Sequence, residues 1–342
     1  MASTLISAEL PPDVDPTKAR LAYGQRAIPK LDEELNSTDL HTQQKALMAL
    51  CDALHDPEKI STAIECSIVQ SLKKLLSSKD AVVRMKATEC KLIISGHSIG
   101  RQALIDVGAI KPLSKLFDDG CREVRVNTHK TMEMLSSIPL GAEAIVECGL
   151  IGVLIKKLAD DSTDDIKLLI LDTLHRCMRV KHQEALECDA MAIFTSLLNS
   201  PDREIRAKAA MDVKELSFPT AGKDKACQEG TVASLCRLLS DDFMDVKSQA
   251  CAALMVITIT THGKYLALDA NALPRLLKLL KEPSVELRLN ALKALTTLSE
   301  APKARSELLR SLTDIVELKN DPDSQAIRKA AQIAERTITW KP

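Results

Sequence analysis

Aromatic side chains are scarce, with two Tyr, four Phe and one Trp in 342 residues. That removes the stacking platforms on which single-strand nucleic-acid binders depend. Neither sign of charge prevails: 46 Lys and Arg face 47 Asp and Glu, so the summed field offers no general attraction to phosphate backbones or anionic lipid. Eleven glycines are few for this length, and β-turns, barrels and phosphate-cradling loops all consume glycine. No apolar run approaches the ~18 residues of a bilayer span, and Met1 to Leu10 has neither a basic start nor a long apolar stretch. The ten cysteines, at 51, 66, 90, 121, 148, 177, 188, 227, 236 and 251, form no CxxC knuckle; scattered thiols of this kind point to a reducing, cytosolic compartment. Nucleic acid and membrane are therefore poor first expectations.

What the chain has in quantity is Leu, Ala, Lys and Glu, which favour helix. Its length alone would suggest two or three domains, but internal repetition overrides that division. The segment Gly108 to Phe117 recurs with starts at 26, 67, 108, 149, 189, 230, 271 and 310, so successive steps are 41, 41, 41, 40, 41, 41 and 39 residues. Its sixth position reads Leu31, Leu72, Leu113, Leu154, Phe194, Leu235, Leu276 and Ile315. Its tenth reads Leu35, Leu76, Phe117, Leu158, Leu198, Leu239 and Leu280, with Leu318 slipped by one in the last unit.

Later in every unit after the first comes an aliphatic-basic pair: Val83-Arg84, Val124-Arg125, Ile166-Lys167, Ile205-Arg206, Val246-Lys247, Leu287-Arg288 and Ile327-Arg328; Thr42-Gln43 and Ala46 make the first unit a weaker copy, as a terminal cap would be. A small or apolar residue follows one turn on, and further apolar residues continue a buried helical stripe, as in Ala250, Leu254, Ile257. Loops such as Ser77 to Asp80, Asp160-Asp161-Ser162, Asn199 to Asp202 and Glu282 to Ser284 supply N-caps for the helix after them. Gly100, Gly141, Gly222 and Gly263 recur where the chain should reverse before a short helix.

The period matches armadillo and HEAT repeats, and three helices per unit suit the armadillo form better. The expected architecture is an all-α, right-handed armadillo/HEAT-like solenoid of about eight repeats, with a 1–25 extension and a single array over 26–342. A unit this small cannot bury enough apolar surface by itself, so each must stack on its neighbours.

Several patterns resemble chemistry. Gly96-His97-Ser98-Ile99-Gly100 matches the G-x-S-x-G nucleophile elbow, which needs a preceding strand, whereas Val83 to Ser95 reads as helix; a turn is expected. Glu65-Cys66, Glu147-Cys148 and Glu187-Cys188 recur before repeat starts and are expected to be small buried packing residues, because equivalent positions in stacked units are ~8 to 10 Å apart or more, too far to share an ion. His175 and His182, seven apart, could share a helix face but lack further ligands. Thr261-His262-Gly263-Lys264 has only the tail of a P-loop. The expectation is no enzyme, metal, cofactor or small-molecule substrate.

A solenoid offers surface. Counting three, six and ten residues past the aliphatic of each pair selects faces of the long helices that should line a groove. The resulting partner-binding candidates are Met48, Asp52, Lys86, Glu89, Ile93, Lys130 and Met134, then Met211, Glu215, Val256, Lys293 and Thr297. Armadillo grooves that grip extended basic peptides carry Trp in the middle and Asn at the last of these positions. Neither stands at the matching places here, which weighs against a cargo or signalling adaptor of the catenin and karyopherin sort. Soft apolar residues among mixed charges suit a helix or a folded partner instead.

The ends are less repetitive. Pro11 to Ala19, Ala22-Tyr23-Gly24, Gln44 to Asp52, Gly263-Lys264-Tyr265, Asn290 to Leu295, and Ala330 to Ala334 with Trp340-Lys341-Pro342 resemble the radial spoke head protein 14 family, armadillo-repeat components of ciliary radial spokes. The likeness implies a non-enzymatic structural subunit of the axoneme in motile cilia and flagella. Its partners would be other spoke proteins of stalk, neck or head. No family catalytic residue carries over.

Overall fold

The structure is a computed structural model that describes residues 27–160 and 163–341. The 1–25 extension, the repeat start at 26, Asp161-Ser162 and Pro342 lie outside the described residues. Every described element is helical, and the fold is an α-solenoid. The chain divides into two compact units, Met1–Ala144 and Ile145–Pro342. In the first, the long helices Leu40–Ala53, Ala81–Ser95 and Arg122–Ser136 stack in series. In the second, the series is Asp164–Val180, Arg203–Leu216, Met244–Ile257, Val285–Leu298 and Gln325–Ile338.

One repeat of the second unit shows why the sequence folds this way. A short helix, Thr220–Gln228, ends at a turn; a second, Thr231–Leu238, follows; and the long helix Met244–Ile257 crosses over both. The turn falls on the repeat start. Gly230 there has φ +71°, and Ser67, Gly108, Gly149, Asp189 and Asn271, the starts of five other repeats, also have positive φ. A left-handed residue costs an L side chain roughly 1–2 kcal/mol. The period thus marks one conformational event, met by Gly in three units and by Ser, Asp or Asn in three.

The other recurrent glycines work differently from expectation. Gly100, Gly141, Gly222 and Gly263 sit in the first turn of the short helices, not in a left-handed reversal. A Cβ at Gly222 would lie 1.8 Å from the Leu216 carbonyl oxygen, and one at Gly141 would lie 2.0 Å from that of Leu135. Close approach of the short helix to the end of the preceding long helix therefore demands glycine.

The anchors form the core. All eight sixth-position side chains, Leu31 to Ile315, are buried, as are the aliphatic members of the pairs from Val83 to Ile327. Burying each such aliphatic contributes ~1.5–3 kcal/mol. Leu318, the slipped anchor of the last unit, is only half-buried.

Caps set where the long helices begin. Asp80 accepts from Val83 N at 2.9 Å, Asp202 from Glu204 N and Ile205 N at 2.8 and 3.0 Å, and Ser284 from Leu287 N at 3.3 Å. Asp119 and Asp241 lie two residues before the N-caps Cys121 and Phe243, and each accepts that residue's backbone N–H, at 2.9 and 3.0 Å, together with an arginine from the preceding repeat. Arg84 spans from its own loop, through the carbonyls of Ser78 and Lys79, to both carboxylate oxygens of Asp119 at 2.6 and 3.1 Å. That guanidinium is the main cause of the lowered Asp119 pKa. Arg288 repeats the device on Asp321 at 3.0 Å, and Lys247 reaches Glu282 at 2.9 Å. The basic member of each of these pairs is thus an inter-repeat tie.

Candidate protein-interaction surface

In the Met1–Ala144 unit the counted positions fall on successive turns of three stacked helices. Met48 and Met134 are exposed at 40% and 38%, Asp52 and Lys130 are exposed, and Ile93 is half-buried. Lys86 and Glu89 neutralise one another at 2.7 Å, a contact that is the chief cause of the raised Lys86 pKa. This face is mixed: apolar thioethers among charges, two of them already paired.

In the Ile145–Pro342 unit the same counting partly fails. Val256 is only 3% exposed and Glu215 8%. Both therefore belong to the packing between helices and leave the set of surface candidates. Met211 is half-buried, Lys293 is exposed, and Thr297 is half-buried with its hydroxyl against that of Thr258 at 2.7 Å.

What the structure adds is a cavity of about 530 Å³ across the last three long helices, with Met255, Ile259, Thr296, Ala330 and Ile333 joining the counted residues Lys293 and Thr297. Ile259 and Ile333 are 59% and 56% exposed, high for isoleucines on a folded surface. Carrying the six-residue offset into the last unit, from Ile327, reaches Ile333 and could have found it. Met255 and Ile259 lie off the counted positions, and only the packing reveals them.

The patterns resembling chemistry resolve structurally. Ser98 begins the helix Ser98–Asp106 directly after the helix Ala81–Ser95, so no strand precedes it. Lys264 is buried and paired with Glu300 at 2.7 Å, engaged away from any phosphate. The cysteines before repeat starts depart from expectation: Cys148 and Cys188 are exposed and Cys66 is half-buried. Each directly follows the end of a short helix, Cys66 and Cys188 as C-caps, where the chain turns at the surface rather than in the core. Burial, though slight, is the largest cause of the raised Cys188 pKa.

His175 and His182 do not share a helix, since Asp164–Val180 ends between them. Each faces a carboxylate of the next long helix: His175 Nδ1 lies 3.0 Å from Asp212 Oδ1, and His182 Nε2 lies 3.6 Å from Glu215 Oε1. Burial pushes the Asp212 carboxyl up to about 7, against the opposing pull of His175. Among the described residues no group of three or more His, Cys, Asp or Glu could hold a metal ion. No helix among them is long and apolar enough to cross a membrane.

Comparison with known proteins agrees with this architecture. A family model described as Armadillo-like matches residues 151–315. A crystal structure of an engineered protein superposes with a TM-score of 0.72 at 21% identity, covering 92% of this chain and 89% of that one. A likeness at that identity shows the fold. The chain thus has an α-solenoid fold, armadillo-like over the matched residues.

Proposed function

We propose that this protein is a non-enzymatic scaffold subunit of the axonemal radial spoke in motile cilia and flagella, holding other spoke proteins on its long-helix faces and its ends. The observation that carries the scaffold reading is the set of exposed apolar side chains, Met48, Met134, Ile259 and Ile333, on faces of a repeated helical stack. Isolated exposed aliphatics are ordinary, but pairs held on one stack, Met48 with Met134 in the first unit and Ile259 with Ile333 in the second, suit docking within each unit. The spoke assignment rests on the resemblance of the chain's ends and of a few internal segments, Gly263-Lys264-Tyr265 among them. Two aromatics in those segments, Tyr265 and Trp340, are 44% and 57% exposed, and Arg305 lies 5.1 Å over the Trp340 ring. Large rings left at a surface suit partner contact.

A tagged full-length chain expressed in ciliated cells, followed by affinity purification from isolated axonemes, tests the proposal. Spoke stalk, neck or head proteins should be recovered in stoichiometric amounts. Recovery of karyopherin-type cargo in their place, or absence from axonemes, would overturn it.

A further inference from the structure

We infer that the cavity spanning Met244–Ile257, Val285–Leu298 and Gln325–Ile338 is a docking groove for an acidic amphipathic helix of a partner protein. The inference rests on the scaffold reading and names the chemistry of one of its sites. The groove is apolar where it is deep, through Met255 and Ala330, and flanked by the exposed Ile259 and Ile333. A volume of about 530 Å³ accommodates several aliphatic side chains.

The polar groups present argue against an extended peptide. A strand laid in an apolar groove would strip water from its own N–H and C=O groups, and each left unpaired costs ~1–3 kcal/mol. The threonine hydroxyl protons are already committed, and the lysines of the groove can donate but not accept. Thr296 donates its hydroxyl to the Leu292 carbonyl at 2.8 Å, and Thr297 donates to that of Ala294 at 2.9 Å. Asn290, the one asparagine at a counted position of this face, turns its amide to Ser248 Oγ at 3.2 Å. A helix satisfies its own backbone internally and needs only side-chain contact. The same lack of converging polar groups disfavours a small polar ligand.

Charge selects the sign. Lys293 and Lys329 line the groove, both are exposed, and neither forms an ion pair among the described residues. No acidic side chain lines the groove. An occupant with Leu, Ile or Met at i, i+3, i+4 and i+7 would fill the apolar part, and Asp or Glu on its flanks would meet the two ammonium groups.

A display library of randomised peptides, selected on the full chain and depleted on the Ile259→Asp/Ile333→Asp chain, provides the test. Peptides that survive depletion should carry an apolar helical stripe with Asp or Glu beside it. They should gain helicity on binding and lose about tenfold or more in affinity for Lys293→Glu/Lys329→Glu. Survivors that are proline-interrupted or basic, affinities unmoved by the lysine reversals, or no groove-dependent survivor at all would overturn the inference. Both isoleucines are exposed, so the depletion variant should keep the parent's circular dichroism and melting point; if it does not, the lysine variant reads the same surface with the apolar part intact. Axonemal recovery of spoke proteins that is equal for parent and groove variants would leave the scaffold reading standing while removing this one.

Discussion

Arg206 holds both carboxylate oxygens of Asp241, thirty-five residues further along, with Nε 2.9 Å from Oδ2 and Nη2 3.1 Å from Oδ1. Its Nη1 also donates to the carbonyls of Ser200 and Pro201 at 2.9 and 3.0 Å. One planar fork thereby ties the loop of one repeat to the loop of the next. The side chains are 13% and 9% exposed, so water screens the pair little. Removing either partner leaves a nearly buried charge, and Arg206→Ala should cost ~2–4 kcal/mol in urea unfolding. Arg206→Lys should recover less than half of that, since an ammonium cannot make the paired contact or reach both loop carbonyls. A loss within ~0.5 kcal/mol for Arg206→Ala, the range of ordinary surface changes, would show that the tie is cosmetic.

The anchors set a second expectation. Leu235 and Leu276 are fully buried at equivalent positions of adjacent repeats. Truncating either to Ala should destabilise by ~2–5 kcal/mol in chemical denaturation, through lost transfer energy and the cavity left behind. Ile333→Ala, on an exposed side chain of the same unit, should stay within ~0.5 kcal/mol. Equal losses at the three sites would contradict the division between core anchor and docking surface.

How much of this was legible follows from what a one-dimensional pattern can carry. Period and anchors repeat in every unit and the aliphatic-basic pairs in all but the first, and these burial signals read directly from the chain. The partner of the basic residue did not, because nothing in a linear pattern pairs Asp119 or Asp241 with an arginine thirty-five residues earlier. Counting offsets found Lys293 and Thr297 but misplaced Val256 and Glu215, since the tilt between neighbouring helices decides which side of an edge position meets water. Ile259 lies beyond the end of its helix, where helical counting has no meaning. The exposure of Cys148 and Cys188 was missed for a related reason: composition speaks for burial, whereas their place at the end of a short helix puts them outside.

Two kinds of glycine should respond differently to substitution. Gly222→Ala sets a Cβ 1.8 Å from a main-chain oxygen, which only backbone movement can relieve. It should cost several kcal/mol, on the order of an overpacked core site. At Gly230 nothing lies within 4 Å of the added carbon, and the penalty is the φ of +71° alone. Gly230→Ala should cost ~1–2 kcal/mol, and Asn271→Gly, at the matching turn, should leave stability unchanged or raise it by up to ~1 kcal/mol. Thermal melts of the three variants should order Gly222→Ala lowest and Asn271→Gly highest; any inversion would refute the assignment of roles.

Lys91 provides the sharpest test of how the first unit is built. In the buried stripe it stands where Leu254 and Leu295 stand in other units, four residues past Ala87, and it is fully buried. Among the described residues its side-chain nitrogen has one hydrogen-bond partner, the Val69 carbonyl at 3.3 Å. Burial, with a lesser push from the Lys73 charge, pulls its pKa from 10.5 to about 7. Between those two values the unfolded chain holds a proton that the folded chain lacks, so this group makes stability rise with pH across that window, and at pH 7 or below its cost is nearly complete. Lys91→Met keeps the length and removes the charge. At 1.36 kcal/mol per pH unit the gain at pH 7 should be on the order of 4 kcal/mol. Measured as the difference between variant and parent in urea unfolding, that gain should shrink steadily towards pH 10. A variant no more stable than the parent at pH 7, or a gain that stays flat as the pH rises, would mean that the amine reaches water or an acid partner in solution.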